Sequence, residues 1–493
     1  MTKTRSQLSP ERSFFIFLTA VCTMLICTKS SPLYPMNDWL DANCYKTVGN
    51  AMLSGKMPYR DLFEHKGPLI YILHAFTAYI SFDSFLGMFF IETAACFFFL
   101  RLTFLTVGRI SGKYHLWTVP LTALAVYSSG AFCHGDSAEE LCLPLILWGL
   151  YCVLGPVMEK RSLTRREAFI IGFTAGIVLM TKFNLLGAFA GIILVISVME
   201  IRRKAFRKLI YSAVYCILGT AASTLPFILC FAKNGALGSM LEVYFYDNIF
   251  IYGGSSSPVW MNIADGYIFL ITFLPAGFAL IYLGTAFSLF RKKPLLPVYF
   301  GTSLLLSFLM IFAGHLSYQY YPLALAAFVP PGIGMLISSL STEWKIRIPA
   351  AVTNIFTLAL CIAGCCLLSP NTYLMKYERS EMPQYKFAEL ISETPEPTLL
   401  NYGFLDGGFY LAADTIPEYK YFCRNNTGLD EMITAQKEYV ESGDPDYIVT
   451  RSYTRKKEDF PMYTCIAEAD FPYYKRLVTY YLYRRDGVTV RGS

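Results

Sequence analysis

The feature that most constrains this fold is a series of apolar segments, each about 20 residues long, that recurs from Phe14 to Leu368. A helix of about 20 apolar residues is long enough to cross the hydrocarbon core of a bilayer. Composition agrees, because only 16% of the residues are charged, against about 25% in a soluble protein. We therefore predict a polytopic α-helical membrane domain over residues 1–369, with about eleven to thirteen crossings, and a polar domain over residues 370–493.

Basic residues in the short loops predict the orientation of the helices. Cytoplasmic loops of membrane proteins carry an excess of Lys and Arg, and Lys3, Arg5 and Arg12 precede the first apolar segment. This predicts a multi-pass protein of the cell membrane with a cytoplasmic N-terminus, a first exported loop over residues 30–67 and an extracytoplasmic C-terminal domain. No basic run stands on a polar domain, which argues against nucleic-acid binding.

Three stretches predict departures from plain spans. The apolar residues 68–107 are too many for one crossing, so we expect one full span plus a shallow helix. Residues 168–198 are interrupted at 181–184 and predict two short spans. Residues 233–265, rich in Tyr, Gly and Ser, predict a long exported loop before a span over 267–290.

The C-terminal residues predict a mixed α/β domain. Residues 429–441 have helical character. Three short runs of β-branched and aromatic residues favour strands, over 397–402, 447–450 and 477–483. Cys423 and Cys465 either pair, if this domain faces an oxidising space, or remain buried free thiols. Most other cysteines lie in apolar segments, where Cys behaves as a small hydrophobe, and they indicate no metal site.

The first exported loop carries dense charge beside the bilayer, with four acidic and four basic residues between Tyr34 and Tyr71. Asp41 and Tyr45 are four residues apart and would share one face of a helix, with Asp38 one turn earlier. A carboxylate at the boundary between water and lipid can act as a general base toward an acceptor hydroxyl. The alternative is an N-cap or a solvated loop acid.

The end of the same loop holds a second polar group, at Tyr59, Arg60, Glu64, His65 and Lys66. Cations there can bind a phosphate and stabilise the charge left on it during transfer. Glu64 can bind a divalent metal ion or orient a cation. The alternative is a set of interfacial Lys and Arg anchors, which are common in membrane proteins.

Further polar candidates lie in other segments on the predicted outer side. A short acidic loop contributes Asp136 and Glu139, and a late turn contributes His315, Tyr318 and Gln319. Lys182, at the break in the long apolar run, either snorkels to the interface or lines a site that holds an anion. The gathering of these groups on one side indicates a site there.

The order of these motifs is similar to that of a known family. An Asp-x-x-x-Tyr pair at Asp41 and Tyr45 follows the first span, and Gly-Lys-Met-Pro-Tyr-Arg-Asp and Glu-His-Lys-Gly-Pro-Leu-Ile-Tyr lie before and at the next one. This order resembles the first exported loop of bacterial GT-C glycosyltransferases of the family 39 type, which includes protein O-mannosyltransferases and the aminoarabinose transferase of lipid A. The resemblance extends to residues 172–182 and 318–322 and covers the membrane domain.

The resemblance implies that Asp41 is the catalytic base, with Glu64 and Lys66 in the polar motif and Lys182 near the lipid phosphate. Three positions depart from the family pattern: Ala42 stands where relatives have Glu, Gly67 where many have Pro, and Gln319 where some have His. These departures suggest a subgroup with its own substrate.

The resemblance further implies transfer of a sugar from a polyprenyl-phosphate donor to a hydroxyl acceptor on the outer face, with inversion. Arg60, Lys66 or Lys182 would meet the phosphate, and the acceptor would be a cell-envelope glycan, lipid or protein. No cofactor is certain, and a divalent metal ion stays open. Two other classes also stay open: a transporter or flippase of lipid-linked glycans, and a non-catalytic assembly protein of the cell envelope. A transporter would carry ionisable residues near mid-membrane and paired halves, whereas here the polar residues gather on one face.

Overall fold

The computed structural model describes residues 9–252, 258–314, 317–340, 349–452, 460–473 and 476–490. Within these ranges, eight helices are long and apolar enough to cross a membrane. They are Pro10–Cys27, Leu86–Ser111, Ala138–Glu159, Phe183–Arg202, Phe206–Lys233, Leu295–Phe312, Tyr321–Leu340 and Ala350–Leu368. A bent pair, Val259–Phe273 and Pro275–Phe290, makes a ninth if it is one span. The predicted class of a polytopic helical membrane protein is confirmed.

Fewer elements reach spanning length than the about eleven to thirteen crossings predicted from residue count. The reason is that several apolar runs form short helices. Pro68–Ala78 and Thr118–Tyr127 have 11 and 10 residues, below the about 20 that the hydrocarbon core requires. Arg165–Leu179 has 15 residues.

The chain packs into two compact units, each built from separate stretches of sequence. We call the first the helix unit, over Met1–Ser31, Phe89–Phe227 and Ser255–Tyr373. We call the second the sheet unit, over Pro32–Met88, Ile228–Gly254 and Leu374–Ser493. The sheet unit therefore combines the first loop with the C-terminal residues.

Glycine allows close helix packing in the helix unit. The Arg165–Leu179 helix begins at Thr164 with a capping box, which satisfies backbone N–H groups at its start. In this helix, a Cβ at Gly172 would overlap the carbonyl group of Cys216 on the Phe206–Lys233 helix. A small residue is needed where two helix backbones approach this closely.

Two of the predicted departures from plain spans are confirmed. Residues 68–107 form a short and then a long helix: Pro68–Ala78 and Leu86–Ser111. The break near Lys182 separates three elements: the helix Arg165–Leu179, the 3-10 turn Phe183–Leu186 and the helix Gly187–Arg202.

The third expectation, a long loop over residues 233–265, is wrong where the structure describes it. Short helical segments follow Lys233: Leu237–Met240, the π-helical turn Leu241–Asp247 and Asn248–Phe250. The next helix begins at Val259, inside the range predicted as a loop, and its polar residue Asn262 and its glycine Gly266 are buried. It bends by 103° before Pro275, since proline ends one helix and suits the first turn of the next.

The sheet unit contains a four-stranded sheet in the order β1-β2-β4-β3. Its strands are β1 Leu399–Asn401, β2 Tyr447–Arg451, β3 Tyr463–Tyr473 and β4 Arg476–Arg485. β1 and β2 are parallel, and the other two pairs are antiparallel. The predicted strands β1, β2 and β4 are confirmed, as is the helix Asp430–Glu441. The helices of this unit near the C-terminus include Pro383–Ile391 and Phe409–Ala412.

The strand β3 was not predicted from the sequence. Its sequence, YTCIAEADFPY, contains acidic residues and a proline, which lower strand propensity. Within the sheet, β3 is next to β4 and lies at the edge, where such residues are tolerated. A bulge between Cys465 and Ala467 interrupts the register.

C-terminal residues hold the Leu40–Leu53 helix of the first loop in place. Thr47 Oγ1 donates a hydrogen bond of 2.5 Å to the buried carboxylate of Asp406. Asp406 also accepts from Asn401 Nδ2 at 2.9 Å and from the Gly408 N–H at 2.8 Å. The helix that carries Asp41 is therefore anchored by residues more than 350 positions later in the chain.

Candidate active site

Asp41 lies in the first turn of the Leu40–Leu53 helix. The helix has no side-chain cap at Trp39, and a carboxylate in the first turn is favoured by the positive end of the helix dipole. The residues that follow Asp41 in this helix, from Ala42 to Ala51, are buried. The fold therefore holds Asp41 at the start of a fixed helix, with its side chain only 14% exposed.

Lys66 lies beside Asp41, at the end of the first loop. Its Nζ is 3.9 Å from Asp41 Oδ2, 3.3 Å from His65 Nε2 and 5.9 Å from the centre of the Tyr45 ring. The separation of 3.9 Å is longer than a direct hydrogen bond. The ammonium and the carboxylate thus form an ion pair without a direct hydrogen bond between them.

Glu64 fixes the backbone that carries Lys66. Its Oε2 accepts hydrogen bonds from the Lys66 N–H, at 3.0 Å, and from the Tyr71 hydroxyl, and its Oε1 is 3.3 Å from His65 Nδ1. The Tyr59 hydroxyl donates to the Lys66 carbonyl at 2.6 Å. Both backbone groups of Lys66 are therefore held, which preorganises the position of its side chain.

Tyr59 itself has an unusual backbone. Its φ of 70° lies in the left-handed region, which non-glycine residues adopt at an energetic cost. Its ring is fully buried between Tyr71 and Phe231, with centroids 5.7 and 5.6 Å away. Burial raises the pKa of the Tyr59 phenol well above its usual value, so the hydroxyl stays protonated and remains a donor to Lys66.

His65 contacts residues that the sequence analysis did not single out. Its ring lies 4.8 Å from the ring of Tyr252, and its carbonyl accepts a 2.7 Å hydrogen bond from Asn248 Nδ2. Both partners belong to the segment that was predicted as a loop. The only available signal was the richness of that segment in Tyr and other aromatic residues.

Arg60 is engaged by its own neighbours. Its Nε and Nη2 donate to the Asp61 carboxylate at 2.8 and 2.7 Å, and its Nη1 donates to the Asn234 carbonyl at 2.5 Å. The hydrogen bonds from Arg60 lower the pKa of Asp61. This arrangement favours a structural role for the Arg60 guanidinium over the predicted contact with phosphate.

Asp38 and Tyr45 are both buried, Asp38 beside β4 and Tyr45 among aromatic rings. Asp38 lies near Tyr480 of β4, with which it interacts electrostatically. The Tyr45 ring packs edge-on against Trp39 and Tyr71, with centroids 6.3 and 6.4 Å away. Tyr45 thus forms an apolar wall beside Lys66.

Lys182, in the helix unit, is part of a tight buried ion pair. Its Nζ is 2.6 Å from Glu139 Oε1, and the Glu139 side chain is 1% exposed. The same ammonium lies 4.0 Å from the centre of the Tyr321 ring and 5.3 Å from that of Tyr320. Lys182 is therefore held by a carboxylate and two aromatic faces.

The acidic loop around Asp136 is built into the fold of the helix unit. Ser137 caps the Ala138–Glu159 helix, and Glu140 Oε2 accepts a 2.9 Å hydrogen bond from the Asp136 N–H. Burial lowers the pKa of His134 well below its usual value, so this imidazole is neutral. Asp136 is buried, with a left-handed φ of 61°.

The late turn holds two of its three predicted residues within the described ranges. Tyr318 stacks on Tyr320 at 5.7 Å, and Gln319 Nε2 donates to Cys133 Sγ at 2.8 Å. His315 lies outside the described residues. Gln319 therefore ties this turn to the start of the acidic loop.

Comparison with known proteins identifies the fold. A scan of protein-family models and a search of curated proteins give no match. Among solved structures, ArnT from Cupriavidus metallidurans bound to undecaprenyl phosphate matches with a TM-score of 0.60 at 13% identity, over 95% of this chain and 97% of that chain. The same protein in the apo state matches with a TM-score of 0.61 at 12% identity, over the same shares. The fold is that of ArnT.

The likeness to ArnT confirms the GT-C fold that the sequence resemblance implied. It also goes further along the chain, because the match spans 95% of the residues, whereas the sequence motifs covered the membrane domain. The small sheet near the C-terminus lies within a chain of ArnT-like fold, although its sequence offered no such indication.

Glu92 is a buried acid that the sequence analysis missed. It lies in the apolar Leu86–Ser111 helix, where Thr28 Oγ1 is 2.9 and 3.1 Å from its two carboxylate oxygens. It interacts electrostatically with Asp136 and Glu140. The signal was available, because a lone acid inside an apolar helix is rare and marks a specific environment.

The structure also bears on the possible metal ion and on the cysteines. Among the residues that the structure describes, no group of three His, Cys, Asp or Glu side chains is placed to hold a metal ion. Cys423 and Cys465 do not pair with each other in the structure. The sulfur of Cys423 instead lies 3.7 Å from that of Cys44, in the first loop.

Proposed function

We propose that this protein is a membrane glycosyltransferase that moves a sugar from a polyprenyl-phosphate donor to a hydroxyl acceptor on the extracytoplasmic face. The single observation that carries the proposal is the pair of Asp41 and Lys66, 3.9 Å apart and both largely buried. A base and a phosphate-binding cation are the two groups that such a transfer needs. The acceptor would be a cell-envelope glycan, lipid or protein.

The chemistry assigns one role to each residue of the pair. The acceptor oxygen attacks the anomeric carbon while the bond from that carbon to the phosphate oxygen breaks, and Asp41 takes the acceptor proton. Lys66 stabilises the charge that remains on the polyprenyl phosphate. A phosphate oxygen bonded to Lys66 Nζ would lie within about 7 Å of the Asp41 carboxylate, a separation that an acceptor oxygen and the anomeric carbon can bridge when both approach beside the ammonium, as inversion requires.

The fold supports a lipid-linked donor. One of the matching ArnT structures is bound to undecaprenyl phosphate, and this chain shares its fold over 95% of its length. We extend that ligand class to this chain as part of the proposal. Residues 1–369 would then form the catalytic membrane domain, with a cytoplasmic N-terminus, and residues 370–493 an extracytoplasmic domain.

The remaining candidates take supporting roles. Glu64, His65 and Tyr59 hold Lys66 in position through its backbone and its ammonium group. Lys182, with its partner Glu139, would stabilise the helix unit rather than bind the phosphate.

The test is transfer of labelled sugar from undecaprenyl phosphate, measured with the full chain in proteoliposomes. We expect Asp41→Asn to lower the rate at least about 100-fold, because general base catalysis contributes that much or more. Asp61→Asn is the matched control, since Asp61 lies in the same loop but pairs with Arg60. Transfer by Asp41→Asn at the wild-type rate would remove Asp41 as the base. Movement of the lipid-linked sugar across the bilayer without transfer would favour a flippase.

A further inference from the structure

The structure places two cysteines from distant parts of the chain in direct contact. Cys44 lies in the Leu40–Leu53 helix of the first loop, and Cys423 lies in the C-terminal region of the same sheet unit. Their sulfur atoms are 3.7 Å apart, although 379 residues separate them. Both side chains are buried.

The backbone on either side of each cysteine is fixed. Next to Cys423, the Phe422 carbonyl accepts from the Asn401 N–H at 3.2 Å, and the Arg424 N–H donates to the Phe404 carbonyl at 2.8 Å. One helical turn after Cys44, Thr47 bonds Asp406. The contact between the two sulfurs is therefore a property of the packed fold and not of two mobile loops.

The other cysteines have a different setting. Most lie in the membrane helices, where a thiol acts as a small apolar side chain. Cys44 and Cys423 both lie in the part of the chain that the proposed function places outside the cell, where disulfides form and persist. A disulfide would bring the two sulfur atoms from 3.7 Å to about 2.05 Å.

We propose that Cys44 and Cys423 form a disulfide that fastens the helix carrying Asp41 to the C-terminal region. This inference rests on the extracytoplasmic placement in the proposed function. In the reaction, the two thiols lose two protons and two electrons and form one S–S bond. The oxidant is the disulfide of a thiol–disulfide oxidoreductase of the cell envelope, which is reduced to two thiols.

The burial of the pair decides when the reaction takes place. Burial raises the pKa of the Cys44 thiol well above its usual value and also raises the pKa of Cys423. Since the thiolate is the attacking species, the folded pair reacts slowly. The bond therefore forms while the C-terminal region is still folding onto the first loop.

The direct test is peptide mapping of the full chain. Cells are quenched with acid, all thiols are blocked with N-ethylmaleimide, and the protein is digested without reductant. We expect a linked peptide that contains Cys44 and Cys423, that represents most of the protein and that disappears with a phosphine reductant. Maleimide on both residues, or a link from Cys423 to Cys465, would overturn the inference.

A stability measurement adds an independent readout. Reductant should lower the thermal unfolding midpoint of the wild type by about 5–10 °C. It should lower that of the matched control Cys465→Ser by the same amount and leave the double variant Cys44→Ser, Cys423→Ser unchanged. Equal midpoints with and without reductant in the wild type would contradict a linked native state.

A third arm separates this inference from the proposed function. Glu393 is exposed in the sheet unit, so Glu393→Cys can be labelled in intact cells with a membrane-impermeant maleimide. If Glu393→Cys is labelled from outside while Cys44 and Cys423 both carry maleimide and are not linked, the disulfide is refuted and the proposed function is not. Absence of labelling until the cells are opened would sink the outer location, and with it the proposed function and the inference.

Discussion

Lys66 and Lys182 carry the same charge and were both predicted to meet a lipid phosphate, yet their surroundings differ. Lys66 Nζ is 3.9 Å from Asp41 Oδ2, and its backbone is held by Glu64 and Tyr59. Lys182 Nζ is 2.6 Å from Glu139 and lies 4.0 Å from the centre of the Tyr321 ring. The backbone of Lys66 is fixed while its charge is loosely paired, whereas the charge of Lys182 is already neutralised.

The difference teaches how a cation's role depends on its partners. A buried ion pair at hydrogen-bond distance must be broken before either group can serve a ligand, and breaking it is expensive. A loose pair leaves the ammonium able to bind an anion without that loss. The contrast predicts that Lys182 contributes to stability and Lys66 to binding.

The largest effect is expected when the charge of Lys182 is removed, and this variant tests whether Lys182 differs from Lys66. Lys182→Met leaves the buried Glu139 carboxylate without its cation, and we expect unfolding in detergent to become easier by about 3–5 kcal/mol. The double variant Lys182→Met, Glu139→Gln is the control and should recover most of the loss. A single variant as stable as the wild type would place Lys182 in the same category as Lys66.

Asp406 extends the comparison to a buried carboxyl group of the sheet unit whose hydrogen-bond donors are neutral. Asp406 accepts hydrogen bonds from Thr47, Asn401 and the Gly408 N–H, and burial raises its pKa from 3.8 to about 6. In the unfolded chain this carboxyl loses its proton near its ordinary pKa, whereas in the folded chain it keeps the proton to higher pH. Stability should therefore fall as pH rises through this interval, by about 3 kcal/mol for this group.

Asp406→Asn tests this pH dependence. The amide has the shape of the protonated acid and does not titrate, so the variant should lose the fall in stability between pH 4 and pH 6 that this group causes, as measured by chemical unfolding at several pH values. Glu418→Gln, an exposed acid paired with Lys56, is the control and should keep the wild-type profile. An unchanged profile in Asp406→Asn would assign the dependence to other groups.

These tests also show how far the sequence could predict the molecule. Length and hydropathy predicted most helices, because a span must be long and apolar regardless of its neighbours. They failed at β3, where acidic residues and a proline lower the strand propensity, and at the helix that begins at Val259. The strands β2 and β4 could be predicted from residue type, since both contain β-branched and aromatic residues.

The candidate site was predictable only in part. The sequence singled out Asp41 and Lys66 as candidate site residues because both lie in the charged first loop. It could not show that Asn248 and Tyr252 contact His65, or that Cys423 meets Cys44, since such contacts depend on how distant segments pack. It also could not show that Lys182 is neutralised, because Glu139 lies 43 residues earlier.

Removal of the Lys66 charge tests the other half of the comparison. Lys66→Met should weaken binding of undecaprenyl phosphate by about 10- to 100-fold, the value of a hydrogen bond to a charged group, and should destabilise the fold less than Lys182→Met does, because its ion pair is 3.9 Å long rather than 2.6 Å. Ligand-dependent quenching of intrinsic fluorescence can measure the affinity. Lys56→Met is the matched control, because Lys56 pairs with Glu418 instead. Unaltered affinity in Lys66→Met would remove Lys66 from the phosphate site.

Arg60 gives the smallest expected effect and the finest distinction. It lies six residues before Lys66 and carries the same charge, but its guanidinium is 40% exposed and forked onto Asp61. An exposed ion pair contributes about 0–1 kcal/mol, so Arg60→Ala should change unfolding by no more than that and should leave the affinity for undecaprenyl phosphate within about 3-fold of the wild type. A loss as large as that of Lys66→Met would mean that Arg60 leaves Asp61 when the lipid binds, and the phosphate site would then include both cations of the loop.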